Sequence, residues 1–308
     1  MDGVCVIMTA YNAAGSVGRA IKSVLGQTYA DTTLLVVEDC STDGTYDVIM
    51  EAVKDASNAR VVRPQENLGC GGARAFGLQF VDSTYVAFCD SDDWLESDHI
   101  AKMVAYAEAQ EADVVHCPLY FIDNETHEHS TARNGIDVKE GGELLTELEN
   151  HWLTSFNCML VRTSHIQQIA YSALRCLDDR LSGLRLLLLG GRHVLLPVGC
   201  GVRYNYVTNE GSVFHSRAKN IPVYEAVVWM TLAREFYGGR DGVSDGVLSV
   251  FALRVLPRFL NNYERNKEAW DKLIAEEFPH IWADIAKFSS SFCVNLLKDK
   301  HKLTKELT

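Results

Sequence analysis

The chain reads as an α/β protein: a mostly parallel sheet flanked by helices, followed by a helical C-terminal region. Three observations predict this. Short β-type runs alternate with helical stripes through residues 1–120. The links between them are short, as in parallel sheets whose crossovers are helices. Tyr11, Asp39, Asn67 and Asp90 fall one after each of four successive β-type runs. In open α/β sheets, ligands bind beyond the carboxyl ends of the strands.

Each element has its own signal. Val4 to Met8 is a buried-type strand. Ser16 to Leu25 carries apolar residues at Val17, Ala20, Ile21, Val24 and Leu25, a helical stripe with Ser16 placed as N-cap. Thr33 to Val37 is a second strand, ending at Glu38-Asp39. The turn Ser41-Thr42-Asp43-Gly44-Thr45 opens a helix to about Val53. Ala59 to Arg63 is the third strand, and Gly69-Cys70-Gly71-Gly72 opens a helix through Phe80. Tyr85 to Phe88 is the fourth strand, a helix is expected from Glu96 to Gln110, and Asp113 to His116 is the fifth strand. Further on, Val223 to Tyr237, Val247 to Tyr263 and Glu268 to Glu277 space their apolar residues three and four apart, as helices do.

Composition excludes several classes. At 308 residues the chain can bury a large core. Its 47% apolar and 23% charged residues are ordinary for a soluble globular protein. The net charge of −12 argues against a nucleic-acid partner, which calls for a basic face. The nine cysteines form no Cys-x-x-Cys pair and sit mostly in apolar runs, so they are expected as reduced thiols. No signal-peptide pattern precedes Val4 to Thr9, and no apolar run reaches the length of a membrane span. A cytoplasmic protein is the expectation.

The most informative stretch is Asp90-Ser91-Asp92-Asp93, straight after the fourth strand. Three carboxylates in four positions repel one another, and burying them is costly unless each is paired or ligates a cation. Oxygen ligands of this kind suit Mg²⁺ or Mn²⁺. One acid there would serve to cap the following helix, but capping does not need three.

Four motifs together resemble glycosyltransferase family 2, whose nucleotide-sugar-binding fold is called GT-A. They are Val6 to Asn12, Val36 to Thr45, Asn67-Leu68-Gly69 with Ala73-Arg74, and Asp90 to Asp93. They stand in the family's order and spacing over about residues 3–120; from Lys219 onward the resemblance carries almost nothing. It implies a hexosyltransferase-type enzyme that moves a single sugar, with inversion, from a nucleotide-sugar to an acceptor hydroxyl in cell-surface polysaccharide or glycolipid synthesis. The donor is expected to be UDP-linked; the acceptor is an unspecified glycan, lipid-linked or other hydroxyl compound. The implied division is a catalytic domain at 1–217, with a nucleotide-sugar half at 1–120 and an acceptor half at 121–217, then a helical region at 218–308.

Asp39 can accept a hydrogen bond from a base N–H, and the resemblance gives it uracil recognition; capping the helix near Thr42 is the plainer use. Thr9 and Tyr11 would flank the base, with Asn12 beside them, unless Tyr11 is a core residue. Asn67 and the glycines after it put backbone N–H groups near a phosphate. Arg74 is expected at the pyrophosphate or ribose, and Asp90 and Ser91 at the ribose and metal. Asp92 is the preferred ligand for Mn²⁺ or Mg²⁺, with Asp93 competing.

The family also places a catalytic base in an acidic pair at a helix start. Cys176-Leu177-Asp178-Asp179-Arg180, ahead of the leucine-rich helix Leu181 to Leu189, fits, although Asp178 stands where Glu is commoner. Asp179 is the candidate base and Asp178 its support; an acidic pair favoured by the helix dipole is the bland alternative. Val202 to Tyr206 and Gly211-Ser212-Val213 resemble the closing segment. Asn205 replaces the usual Arg there, leaving His215, Arg217 or Lys219 to take its place, with His215 also a metal-ligand candidate. The helical end is expected to shape the acceptor site or make a homodimer. The locally basic Lys298 to Lys302 suits either a solvated tail or peripheral contact with anionic lipid at the inner membrane face. A nucleotidyltransferase and a non-catalytic nucleotide-sugar binder are the rival readings.

Overall fold

The computed structural model describes residues 3–122, 128–130, 137–140, 154–207, 218–236 and 255–283. Two compact units divide the chain, Met1–Ser212 and Val213–Thr308.

The first unit is built on an eight-stranded sheet. In chain order its first half comprises β1 (Val4–Ala10), α1 (Val17–Leu25), β2 (Thr32–Glu38), α2 (Thr45–Val53), β3 (Ala59–Val62), α3 (Gly69–Leu78) and β4 (Tyr85–Phe88). Then come β5 (Trp94–Leu95), α4 (His99–Ala109), β6 (Val114–His116), β7 (Leu119–Ile122), β8 (Glu128–Ser130) and β9 (Asp137–Glu140). A 3₁₀ turn at Phe156–Cys158 leads to β10 (Met159–Arg162), α5 (Thr163–Ile166), α6 (Asp178–Leu189), β11 (Arg192–Leu195) and β12 (Tyr204–Val207). The sheet order is β3-β2-β1-β4-β10-β6-β11-β9. β1 to β4 run parallel, β10 is antiparallel to both β4 and β6, β11 is parallel to β6, and β9 is antiparallel to β11.

The strands read as continuous apolar runs because both faces are covered. Val4, Val6 and Met8 pack in one core with Val17, Ile21 and Val24 of α1, Ile49 of α2 and Met103 of α4. Cys5 and Ile7 point the other way, into a core with Ala73 of α3, Ile166 of α5 and Leu186 of α6. Each fully buried Val, Ile or Leu contributes roughly 1.5–3 kcal/mol, so this two-sided burial fixes the register of β1.

A second sheet, ordered β5-β12-β7-β8, lies in the same unit. β12 pairs antiparallel with β5 and parallel with β7. This places Tyr204 and Tyr206 close to the loop that follows β4.

Several sequence expectations need correction. The expected fifth strand, Asp113 to His116, is β6, but it does not lie beside β4; β10 is inserted antiparallel between them. The helix expected from Glu96 starts at His99, because Trp94 and Leu95 are taken into the second sheet first. Ser16 makes no side-chain cap on α1; its hydroxyl donates to the Ala13 carbonyl at 3.4 Å instead.

The second unit contains a 3₁₀ turn (Ala218–Asn220), α7 (Ile221–Phe236) and α8 (Leu256–Glu277). The helices expected at 247–263 and 268–277 are one helix over their described part. Glu264, Arg265, Asn266 and Lys267 join them without a Gly or Pro to end it, while Pro257 sits in the first turn, where it is tolerated. Phe259 stacks on Trp270 with ring centroids 5.5 Å apart, and the Tyr224 hydroxyl donates to Glu277 at 3.0 Å. Gly211 to Val213, His215, Arg217 and the Lys298 to Lys302 tail lie outside the described residues. No described helix is long and apolar enough to cross a membrane.

Candidate active site

The sheet delivers its polar residues to one end. β1 terminates at Ala10, and Tyr11 and Asn12 follow, with Tyr11 49% exposed rather than in the core. Thr9 is half-buried. Asn12 adopts φ +50° and its Oδ1 accepts the Thr42 N–H at 2.8 Å, which joins the loops after β1 and β2.

Asp39, at the end of β2, is 2% exposed. It does not cap the helix near Thr42. Its Oδ1 accepts the Leu68 N–H at 2.8 Å; its Oδ2 accepts the Gly69 N–H at 2.9 Å and the Asn67 amide at 3.0 Å. The acid therefore organises the loop that opens α3. Burial pushes its carboxyl up, while the Leu68 and Gly69 N–H groups pull it back. A carboxylate offers about four lone-pair sites. Among the described residues three donors occupy those of Asp39.

Beyond β4, Asp90, Asp92 and Asp93 each present an oxygen within 4.8 Å of the others. They are not equivalent. Asp93 is fully buried; its Oδ2 accepts the Tyr204 hydroxyl at 2.5 Å and its Oδ1 the Val207 N–H at 2.8 Å. Burial, then Asp90 and Asp92, pushes the Asp93 carboxyl well up. Asp90 is held by the Arg74 guanidinium at 2.6 Å on one oxygen and by the Asn157 amide at 2.6 Å on the other. The Tyr204 hydroxyl also accepts the Asp90 backbone N–H at 3.0 Å, so one phenol pins both ends of the motif. Ser91 and Asp92 are partly exposed, and Arg19 from α1 donates to the Asp92 carbonyl at 2.6 Å.

The acidic pair opens α6, as its place at a helix start suggested. Asp178 is 2% exposed and accepts from Arg74 at 2.8 Å, from the Cys70 thiol at 3.2 Å and from the Tyr171 hydroxyl at 3.4 Å. Arg74 thus bridges Asp90 and Asp178. Its guanidinium lies between two acids of the chain, where the sequence suggested a pyrophosphate or ribose. Asp179 is partly exposed, and its Oδ1 accepts the Arg180 N–H at 2.7 Å. Burial, then the neighbouring Asp178, pushes its carboxyl up to about 7, with Arg74 pulling the other way. The Tyr206 phenol, pushed up chiefly by burial, also feels Asp93, Asp90, Asp92 and Asp179. Arg74, bonded to both Asp90 and Asp178, makes the two acidic groups neighbours. Asn205, by contrast, is fully buried and turns its amide toward Glu96, 3.5 Å away.

Sequence reasoning gave no role to Asn157, Tyr204, Arg19 or Tyr171. Tyr204 stood in a segment that resembled a closing strand; Asn157 and Arg19 have partners 67 and 73 positions away, and Tyr171, seven positions from Asp178, carried no pattern of its own.

The model of glycosyl transferase family 2 matches residues 5–169, more than half of the chain. The chain belongs to that family. The matched span holds Asp39, Asn67, Arg74 and the Asp90 to Asp93 motif, and stops short of the Asp178-Asp179 pair. A relative from Escherichia coli, the UDP-Glc:α-D-GlcNAc-diphosphoundecaprenol β-1,3-glucosyltransferase WfaP, is 32% identical over 112 residues, which is 36% of this chain and 43% of that protein. The chain spans less than half the length of the first curated relatives it matches. Staphylococcus aureus TarS, solved with UDP-GlcNAc, superposes with a TM-score of 0.68 at 21% identity, covering 93% of this chain and 80% of TarS. The mannosyltransferase PcManGT of Pyrobaculum calidifontis, solved with GDP-Man and Mn²⁺, gives 0.59 at 15% identity, covering 98% and 80%. These likenesses show the expected fold, a mostly parallel mixed sheet flanked by helices. Family membership sets the nucleotidyltransferase reading aside.

Proposed function

We propose that the protein transfers a single sugar from a UDP-sugar to an acceptor hydroxyl with inversion, in the assembly of a cell-surface polysaccharide or glycolipid. The observation that carries this reading is the linking, through Arg74, of the Asp90-Asp92-Asp93 cluster to the Asp178-Asp179 pair. The solved relatives bind UDP-GlcNAc in one case and GDP-Man with Mn²⁺ in another.

The donor set fits a hard divalent cation. Three carboxylates offer oxygens within 4.8 Å, with no sulfur or imidazole among them. Partly exposed Asp92 would be the principal ligand, with Asp90 and Asp93, each held on both oxygens by other groups of the chain, offering their remaining lone pairs beside it. The bound cation would supply positive charge to the departing diphosphate.

The chain's own residues do the rest. A lone pair of Asp39 beyond the three bonded ones takes a base N–H, and exposed Tyr11 covers the base with its ring. Arg74 keeps the Asp90 and Asp178 carboxylates in register. Asp179 takes the proton of the acceptor hydroxyl. The acceptor oxygen then forms a bond to the anomeric carbon as the bond from that carbon to UDP breaks, and attack opposite the leaving group inverts the centre.

Calorimetry with UDP tests the donor and metal assignments together. Affinity should require Mn²⁺ or Mg²⁺ and collapse in EDTA; equal affinity in both conditions would remove the metal from the reading. Incubating the protein and Mn²⁺ with a panel of nucleotide-sugars should release UDP from one of them. Binding without any turnover would leave a non-catalytic nucleotide-sugar binder.

A further inference from the structure

We propose that Arg175 is a positioning residue: it ties the Asp39–Asn67 loop to the segment carrying Asp178 and Asp179, so that nucleotide affinity and turnover both depend on one guanidinium. The proposal rests on the nucleotide-sugar reading above. Arg175 is an exposed side chain, yet it is held at two points. Its Nη1 donates to Asn67 Oδ1 at 3.0 Å and its Nη2 to the Asn67 carbonyl at 3.2 Å. With the amide oxygen taken by a cation, the Asn67 NH₂ must face acceptors, and it donates to Asp39 Oδ2 at 3.0 Å and to the Asp39 carbonyl at 2.8 Å. Arg175 therefore sets the group that sets Asp39.

The stem of Arg175 lies on bare backbone. A Cβ on Gly69 would come within 3.0 Å of Arg175 Cγ, and Gly69 adopts φ +72°, so glycine makes both the turn and the approach possible. On its other side, Arg175 lies three positions before Asp178. The segment between is pressed on α3: a Cβ on Gly71 would meet the Leu174 carbonyl at 2.4 Å and Asp178 Cβ at 2.6 Å. The Cys70 sulfur, whose proton goes to Asp178, also lies 3.7 Å from the Arg175 carbonyl. Leu177, held at φ +57°, leaves little slack before the acids. A displacement at Asn67 is thus passed through Arg175 to the start of α6.

The plainer role, a surface arginine that only adds stability, predicts a lower melting temperature and nothing else. Three readouts separate the two in Arg175→Met, Arg175→Lys and Arg175→Met combined with Asn67→Ala. In the ligand-free protein, hydrogen exchange at the Leu68 and Gly69 amides should accelerate about tenfold in Arg175→Met, the loss expected for ordinary hydrogen bonds. UDP affinity with Mn²⁺ should fall about tenfold, and turnover at saturating donor should fall as well. Arg175→Lys should recover part of both, and Asn67→Ala should cost clearly less when added to Arg175→Met than when made alone in the wild-type protein. Unchanged exchange at Leu68 and Gly69 would overturn the proposal, as would fully additive losses. Weaker UDP binding with unchanged saturated turnover would overturn the tie to the acidic pair. If the wild-type protein binds no UDP, the nucleotide-sugar reading fails, and the exchange measurement still decides whether Arg175 sets the loop.

Discussion

Burial and the Asp178 carboxylate push the Asp179 carboxyl up to about 7, and a base must be ionised to act. Turnover at limiting acceptor should therefore climb with pH through about 7 and level off above it. Asp179→Asn should flatten that profile and lower turnover by about 10²- to 10⁴-fold, with UDP affinity unchanged. The sign for stability is opposite. A folded-state value above the ordinary 3.8 means that ionising Asp179 costs the fold something, increasingly from pH 4 to about 7. Thermal melting at pH 8 should show Asp179→Asn at least as stable as wild type; a clear loss would mean that the carboxylate is structurally paired. Asp92→Asn should nearly abolish transfer while the melting transition stays in place. Asp178→Asn is the more disruptive neighbour for the fold, because it removes one of the two carboxylates that hold the buried Arg74 guanidinium. The sequence could single out Asp39 and the Asp90 to Asp93 motif because they follow strand ends, and Asp179 because it lies in the first turn of a helix, each inside a local pattern. Asn157 and Arg175 were not, since their partners lie 67 and 108 positions away.

At the scale of elements, α3 and β12 do the positioning. Gly71→Ala would force a methyl against the Ser172 and Leu174 carbonyls and Asp178. It should destabilise by about 1–3 kcal/mol in urea titration and lower turnover, because the start of α6 must move. Tyr204→Phe removes the hydroxyl shared by Asp93 and the Asp90 N–H, leaving both groups buried and short of a partner. The expected cost is about 1–3 kcal/mol, together with weaker Mn²⁺ binding measured by calorimetry. An unchanged Mn²⁺ affinity would confine Tyr204 to the scaffold. The first four strands could be read from the chain because both of their faces are apolar and helices separate them. β10 and β11 escaped notice: four-residue apolar runs such as Met159–Arg162 do not say which strand they pair with or in which direction.

For the whole molecule, acid stability is set in part by buried histidines. Burial draws His99 and His193 down to about 4 from the ordinary 6.5. Their neutral forms are fixed by partners. His99 Nδ1–H donates to the Arg203 carbonyl at 3.0 Å, and the His193 Nε2–H to the Gly190 carbonyl at 3.3 Å, so His193 Nδ1 accepts from His116. Protonating His193 would set two N–H groups face to face. The unfolded chain takes up these protons from pH 6.5 downward and the folded one does not, so stability is full above 6.5 and is lost toward pH 4. Roughly 3 kcal/mol is at stake per residue. Melting curves should fall over that window, and His193→Asn should reduce the slope.

One backbone feature bears on how such a protein changes over generations. Leu177 holds a left-handed conformation immediately before the acidic pair. For a leucine this costs about 1–2 kcal/mol, which a glycine there would escape; against that stand about 0.4–1 kcal/mol of extra freedom in the unfolded chain and the loss of a half-buried side chain. Relief and losses are of similar size. A Leu177→Gly variant would therefore accumulate in cells at ordinary abundance, untouched by quality control, and would reveal itself only as a slower catalyst whose acids are less firmly aimed.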